Sequence, residues 1–229
     1  MLVWNSFLIA FSALLPLINP LGSALVFLGL VGNCDAAVYR ALARRIAINN
    51  VIFLTVIELL GSAILRFFGI SLPIVQLAGG TVIAAMGWKV LNEPDAGASA
   101  ASKREEVQVR AGDMDSDDGL GKLAQKAFYP FTFPVTSGPG TLVATLTLSA
   151  HIEAKTVAEN ALGHVGIFLA VLVLSGGVYF AYAYAPRLTR AISASTAHGI
   201  LRVVAFILFC IGVQIAWNGL AVLIGTVKF

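Results

Sequence analysis

Charge is what this sequence has least of. Charged residues are 12% of the chain, where a soluble domain carries about 25%. So little charge cannot cover a globule with solvated groups, which argues against a soluble enzyme or binding module. Cysteine is almost missing, with only Cys34, in a loop by pattern, and Cys210, deep in an apolar run. Positions at such different depths do not form a disulfide. The chain has no HExxH pair and no GxSxG elbow, and its three histidines fall at or near the ends of apolar segments, away from Ser137. Zinc-protease and serine-hydrolase readings therefore find no support. The net charge of +3 comes from a few basic loop residues. With no basic helix carrying interleaved aromatics, a nucleic-acid partner is not expected. Ahead of the first apolar run there is neither a basic n-region nor a small-residue cleavage site, so that run reads as a retained span.

Apolar residues are what the chain has, at 58% with a mean hydropathy of +0.87. The pattern predicts an all-α integral membrane protein. Six segments can each supply the roughly 20 residues of a spanning helix, at about 4–31, 42–66, 71–92, 124–149, 158–185 and 200–226. The gap Phe68-Gly-Ile-Ser-Leu-Pro73 is short enough to make the helices around it adjacent and antiparallel.

Between the third and fourth segments the composition turns to Ala, Gly, Ser and mixed charge. Such a stretch reads as a solvated, disordered linker. Asp113-Met-Asp-Ser-Asp-Asp118 lacks the terminal Glu of an EF-hand loop, so no metal and no cofactor are expected. The linker, 94–122, separates two three-helix units, 1–93 and 123–229. Arg40, Arg44, Arg45, Lys89, Lys103, Arg104, Arg110, Lys122, Lys126, Arg187, Arg190 and Arg202 follow the first, third and fifth segments, whereas the other side holds only Arg66, Lys155 and Lys228. The basic side is cytoplasmic by the positive-inside rule, leaving both termini outside. An odd number of spans per unit makes the second enter from the opposite face, so the halves form an inverted pair. Ile74-Val-Gln-Leu-Ala-Gly-Gly80 and Ile200-Leu-Arg-Val-Val-Ala-Phe206 are a faint echo of that repeat.

Two segments are interrupted. Pro16-Leu-Ile-Asn-Pro-Leu-Gly22 breaks the first, and Pro130 through Thr141, with Pro134, Gly138, Pro139 and Gly140, breaks the fourth. Proline removes an N–H and strands the carbonyl four residues back, here those of Pro16, Pro130 and Val135. Each break also carries helix-start chemistry: Asn19 as cap with Pro20 at the first helical position, and Ser137 or Gly138 as cap before Pro139. Paired broken helices in two halves of a membrane chain point to a transporter's binding site. Two helix N-termini facing one cavity suit a carboxylate, and freed carbonyls suit an ammonium group, so the expected ligand is a small zwitterion. The plain alternative is a pair of proline kinks.

Glu58 is the one acid inside an apolar segment away from its ends. Intramembrane acids are functional by default, which makes it a candidate for proton coupling, with Arg66 as the nearest base in sequence. Gln76, Gln214, Asn49, Asn50 and Asn218 read as interhelical hydrogen-bond partners. Gly79-Gly80 and Gly176-Gly177 read as close helix contacts, and Trp88 and Trp217 as packing or interface anchors.

These residues resemble the MarC family (UPF0056) of bacterial inner-membrane proteins, which includes the NAAT group of small neutral amino acid transporters. The resemblance rests on Asn19-Pro-Leu-Gly22, on Phe68-Gly-Ile70 followed by Ala78-Gly-Gly80, and on Pro134-Val-Thr-Ser-Gly-Pro-Gly-Thr141. It implies six spans in two inverted three-helix repeats, each opening with a broken helix, a fold similar to the LysE exporter superfamily, and in some members transport of glycine or alanine. Asn19, Pro20, Gly22, Gly138, Pro139, Gly140 and Thr141 occupy the family's motif positions, and Ser137 completes the candidate substrate site. The expectation is a secondary transporter in the lipid bilayer of a bacterial inner membrane, with a small zwitterionic substrate. The alternatives are a non-transporting membrane scaffold and a small-solute channel, and a homo-oligomer is compatible with all three.

Overall fold

The computed structural model describes residues 2–31, 34–92, 125–152, 156–187 and 194–226. Every regular element among them is helical. The helices are α1 (Leu2–Ile18), α2 (Pro20–Val31), α3 (Ala36–Phe67), α4 (Leu72–Asn92), α5 (Pro139–Ile152), α6 (Val157–Ala183) and α7 (Ala194–Thr226); a wide-turn segment, Ala127–Thr136, precedes α5. The linker 94–122 and the Asp113–Asp118 run lie outside the described residues.

Among the described residues, five stretches are long and apolar enough to cross a membrane: Leu2–Leu28, Ala36–Phe67, Leu72–Asn92, Val157–Ala183 and Leu201–Gly225. The sixth expected segment, 124–149, is no continuous helix. Pro130, Pro134 and Pro139 divide it into the wide-turn segment and α5. Two expected boundaries also move, since α3 begins at Ala36 and α7 at Ala194. Helix ends carry their own polar turns, which an apolar-run criterion omits.

Local chemistry sets these ends. The Asp35 carbonyl accepts from the amides of Val38 and Tyr39 at 2.9 and 3.3 Å, starting α3. Gly69, at φ +68, stops it, and the Ile70 amide reaches back to the Leu65 carbonyl at 2.9 Å. This is a glycine-capped helix end. Thr156 and Glu159 start α6 with a capping box.

Packing then departs from chain order. Despite the short turn between them, α4 does not lie along α3; it packs lengthwise on α7 and also meets α5. Small residues explain the preference. A Cβ on Gly80 would meet the backbone of Gly212 and Ala216, one on Gly212 the backbone of Gly80 and Ala84, and one on Gly87 the backbone of Ala205 and Phe209. A Cβ on Gly219 would likewise meet the backbone of Pro73 and Leu77. Van der Waals contact at this range is what drives helices together in lipid. The expected contact at Gly79-Gly80 is therefore present, but Gly176-Gly177 makes none, as space around Gly176 is open and Gly177 meets only Pro20 Cγ at 3.9 Å.

The second cluster is α1, α3 and α6, with α1 and α3 both against α6. Its core joins Ala10, Leu14 and Ile18 to Leu42, Ile46 and Leu54 and to Ile167, Val171, Leu174 and Val178. Large apolar side chains also stand on the outside, among them Ile52, Leu59, Phe180, Val203 and Ile224. A surface of that kind requires lipid or another apolar neighbour.

Candidate functional site

At the first break Asn19 adopts φ 43, a left-handed conformation that asparagine tolerates better than most residues. Its amide still reaches Leu15 at 2.9 Å, while its side-chain Oδ1 accepts from the Gly22 amide at 3.2 Å. That is the capping bond expected of it, with Pro20 first in α2. Gly22 is required here, because a Cβ would overlap the Asn19 carboxamide. Ser23 finishes the turn by donating to the Asn19 carbonyl at 2.8 Å, with the Ile18 carbonyl at 3.2 Å.

At the second break the chain turns extended at Tyr129 and Phe133, each ahead of a cis proline. Thr132 Oγ1 donates to the Ala127 carbonyl at 2.8 Å and Thr136 Oγ1 to that of Phe131 at 2.7 Å. Side-chain hydroxyls thus fill acceptors that a wide, proline-rich turn leaves over. Gly138, rather than Ser137, starts α5, since its carbonyl accepts from Thr141 and Leu142 at 3.0 and 3.3 Å. Ser137 is extended and turns its hydroxyl elsewhere, donating to Asn50 Oδ1 at 2.6 Å. Thr141 Oγ1, one turn into α5, is buried without a partner among the described residues.

The two breaks are brought together. A Cβ on Gly140 would lie 2.9 Å from Ile83 Cγ1 and 3.2 Å from Leu17 Cδ2, so α5 begins against the end of α1. Because α1 lies beside α5 and α2 beside the wide-turn segment, the broken runs pass each other in opposite directions. Tyr182, fully buried on α6, joins them, its hydroxyl 2.8 Å from Thr136 Oγ1 of the second break. Its ring stacks on Phe27 at 4.4 Å, and Phe131 meets Phe27 edge-on at 5.5 Å. Asn50 adds a second tie, accepting from Ser137 and donating to Ser175 at 3.0 Å.

Of the residues singled out from sequence, Asn19, Pro20, Gly22, Ser137, Gly138, Pro139, Gly140 and Thr141 therefore belong to two neighbouring helix starts. Thr136, Ser175 and Tyr182 escaped notice because each has a partner far along the chain, and Ser23 because a serine one turn into a helix carries no signal of its own. Gln214 and Asn218 depart from expectation, bonding each other within α7 at 2.9 Å on its exposed face. Asn50 does link helices, as expected.

Glu58 lies away from the breaks, further along α3. Its partner is not Arg66, which is exposed, but His164 on α6, with Nδ1 3.1 Å from Oε1. Ser149 of α5 donates to the Glu58 main-chain carbonyl at 2.7 Å. Placing every histidine near a segment end hid this pair.

A sequence model described as MarC family integral membrane protein matches residues 4–224. The chain belongs to the MarC family. Among curated relatives, the UPF0056 inner membrane protein MarC of Salmonella typhimurium is 29% identical over 219 residues, covering 93% of both chains. The protein of the same name from Escherichia coli O139:H28 is 30% identical over 224 residues, again covering 93% of each. No solved structure matches. Membership in the MarC family and the apolar helices together make this a multi-pass inner-membrane protein. The MarC names state no substrate, so what the paired breaks hold is a question for their chemistry.

Proposed function

We propose that this MarC-family protein is a secondary transporter of small neutral amino acids, glycine- or alanine-like, and that it moves its solute without chemical conversion. The observation that carries the reading is the meeting of two opposed helix starts, Pro20 and Pro139, with Gly140 against Leu17 and with Tyr182 stacked on Phe27 and bonded to Thr136. Each start offers a positive dipole end and free amides suited to a carboxylate. Thr141 Oγ1 supplies a further buried group with nothing of its own to bond. Leu17 and Ile83 crowd Gly140, which favours a ligand with little or no side chain.

The fuller architecture belongs to the same proposal: six crossings in two inverted three-helix repeats, 1–93 and 123–229, with both termini outside. The α4–α7 pairing supports it. Gly80, Ala84 and Gly87 are spaced as are Gly212, Ala216 and Gly219, and their contacts interchange when one set replaces the other. Two antiparallel helices related by a two-fold axis pack in this way. The register equates Ile74 with Phe206 rather than with Ile200.

The test is ligand-dependent melting of the purified protein. Glycine or alanine at ~100 times its dissociation constant should stabilise the wild type by about 2.7 kcal/mol. Asn19→Ala should lose that increment. A panel of amino acids that leaves the wild-type melting temperature unmoved would favour a membrane scaffold.

A further inference from the structure

We infer that Glu58 and His164 form a proton-binding unit that clamps α3 to α6 and couples the proposed transport to a proton gradient. This rests on the transport reading above and names its coupling ion. Glu58 is 1% exposed, and His164, at 24%, is the more open member. A buried carboxylate demands a partner, and among the described residues His164 is the ion-pair partner that Glu58 has. From α5 the approach is the uncharged Ser149, bonded to main chain; Arg66 is exposed at the end of α3, and Glu159 is held half-buried in the capping box that opens α6. His151 stands further along α5.

When Glu58 is ionised its oxygens can only accept, so in that state Nδ1, 3.1 Å from Oε1, donates and the lone pair of Nε2 is open to the transported proton. Without that proton the pair is neutral imidazole and carboxylate, net −1. With it the pair is imidazolium and carboxylate, net zero, and the attraction between α3 and α6 strengthens.

The same helices hold the breaks. On α3, Asn50 lies ~12 Å from Glu58 at about 1.5 Å rise per residue, and it binds Ser137 of the second break and Ser175 of α6. On α6, Tyr182 bonds Thr136 of the second break and stacks on Phe27 of α2. A proton that tightens or loosens α3 against α6 therefore acts on the helices that hold both helix starts.

The experiment uses the full chain in liposomes with labelled alanine as probe. Under an imposed gradient of about one pH unit, one proton per solute accumulates alanine ~tenfold, because one pH unit and a tenfold ratio are the same free energy. Glu58→Gln and His164→Gln should each reduce the ratio to about one while alanine-for-alanine exchange stays within about twofold. Glu58→Asp should recover part of the accumulation. Full accumulation in Glu58→Gln or His164→Gln, or accumulation driven by a sodium gradient at equal pH, would overturn the proposal. If wild type moves no alanine in either assay, or the variants lose exchange as well, an infrared pH titration of solubilised wild type with labelled histidine decides. An imidazole band and a carboxylate band that change together as the pH is varied support the pair; no coupled change refutes it.

Discussion

The Ser137 hydroxyl donates to Asn50 Oδ1 across 2.6 Å, and both side chains are wholly buried. Asn50 also donates to Ser175, so one carboxamide ties the second break to α3 and α6. Asn50→Leu would strand two hydroxyls at once. Leaving a buried polar group unpaired costs about 1–3 kcal/mol, and interhelical bonds in membranes sit at the low end of that range. The melting temperature in detergent should therefore fall further for Asn50→Leu than for Ser137→Ala.

Thr141→Val removes a hydroxyl that is buried and unpartnered, so unliganded stability should hold or rise. The increment from glycine or alanine should shrink nonetheless. Thermal melts with and without ligand check both halves, and an unchanged ligand increment would remove Thr141 from the site.

Gly80→Ala and Gly212→Ala should be equally damaging, since each new Cβ would strike backbone of the facing helix. Separating α4 from α7 should cost several times the ~1 kcal/mol of an ordinary substitution. Gly176→Ala meets nothing within 4 Å and should be neutral or slightly stabilising, by about 0.5–1 kcal/mol. Melting of the three variants side by side tests the register.

Both breaks were legible because proline and glycine act locally: Asn19-Pro20 and Gly138-Pro139 write the helix starts into the chain. What joins the breaks was not. Tyr182 and Thr136 lie on different elements, as do Glu58 and His164, and a single sequence does not show which helices touch. The same limit explains Gly176-Gly177, where a glycine pair suggested contact and the fold leaves space. The short turn after α3 fixed the chain's reversal, but the small residues of α4 chose α7 as its neighbour.

Orientation is tested in cells. With Cys34 and Cys210 replaced by serine, Ser102→Cys in the linker should resist an impermeant thiol reagent until the membrane is opened. Labelling in intact cells would reverse the topology that the basic loops imply.

The most direct measurement is uptake of labelled glycine or alanine by purified protein in liposomes. The account predicts saturable uptake that unlabelled substrate inside accelerates, lost in Asn19→Ala. Uptake no faster than in empty liposomes, or flux linear in concentration without counterflow, would contradict it.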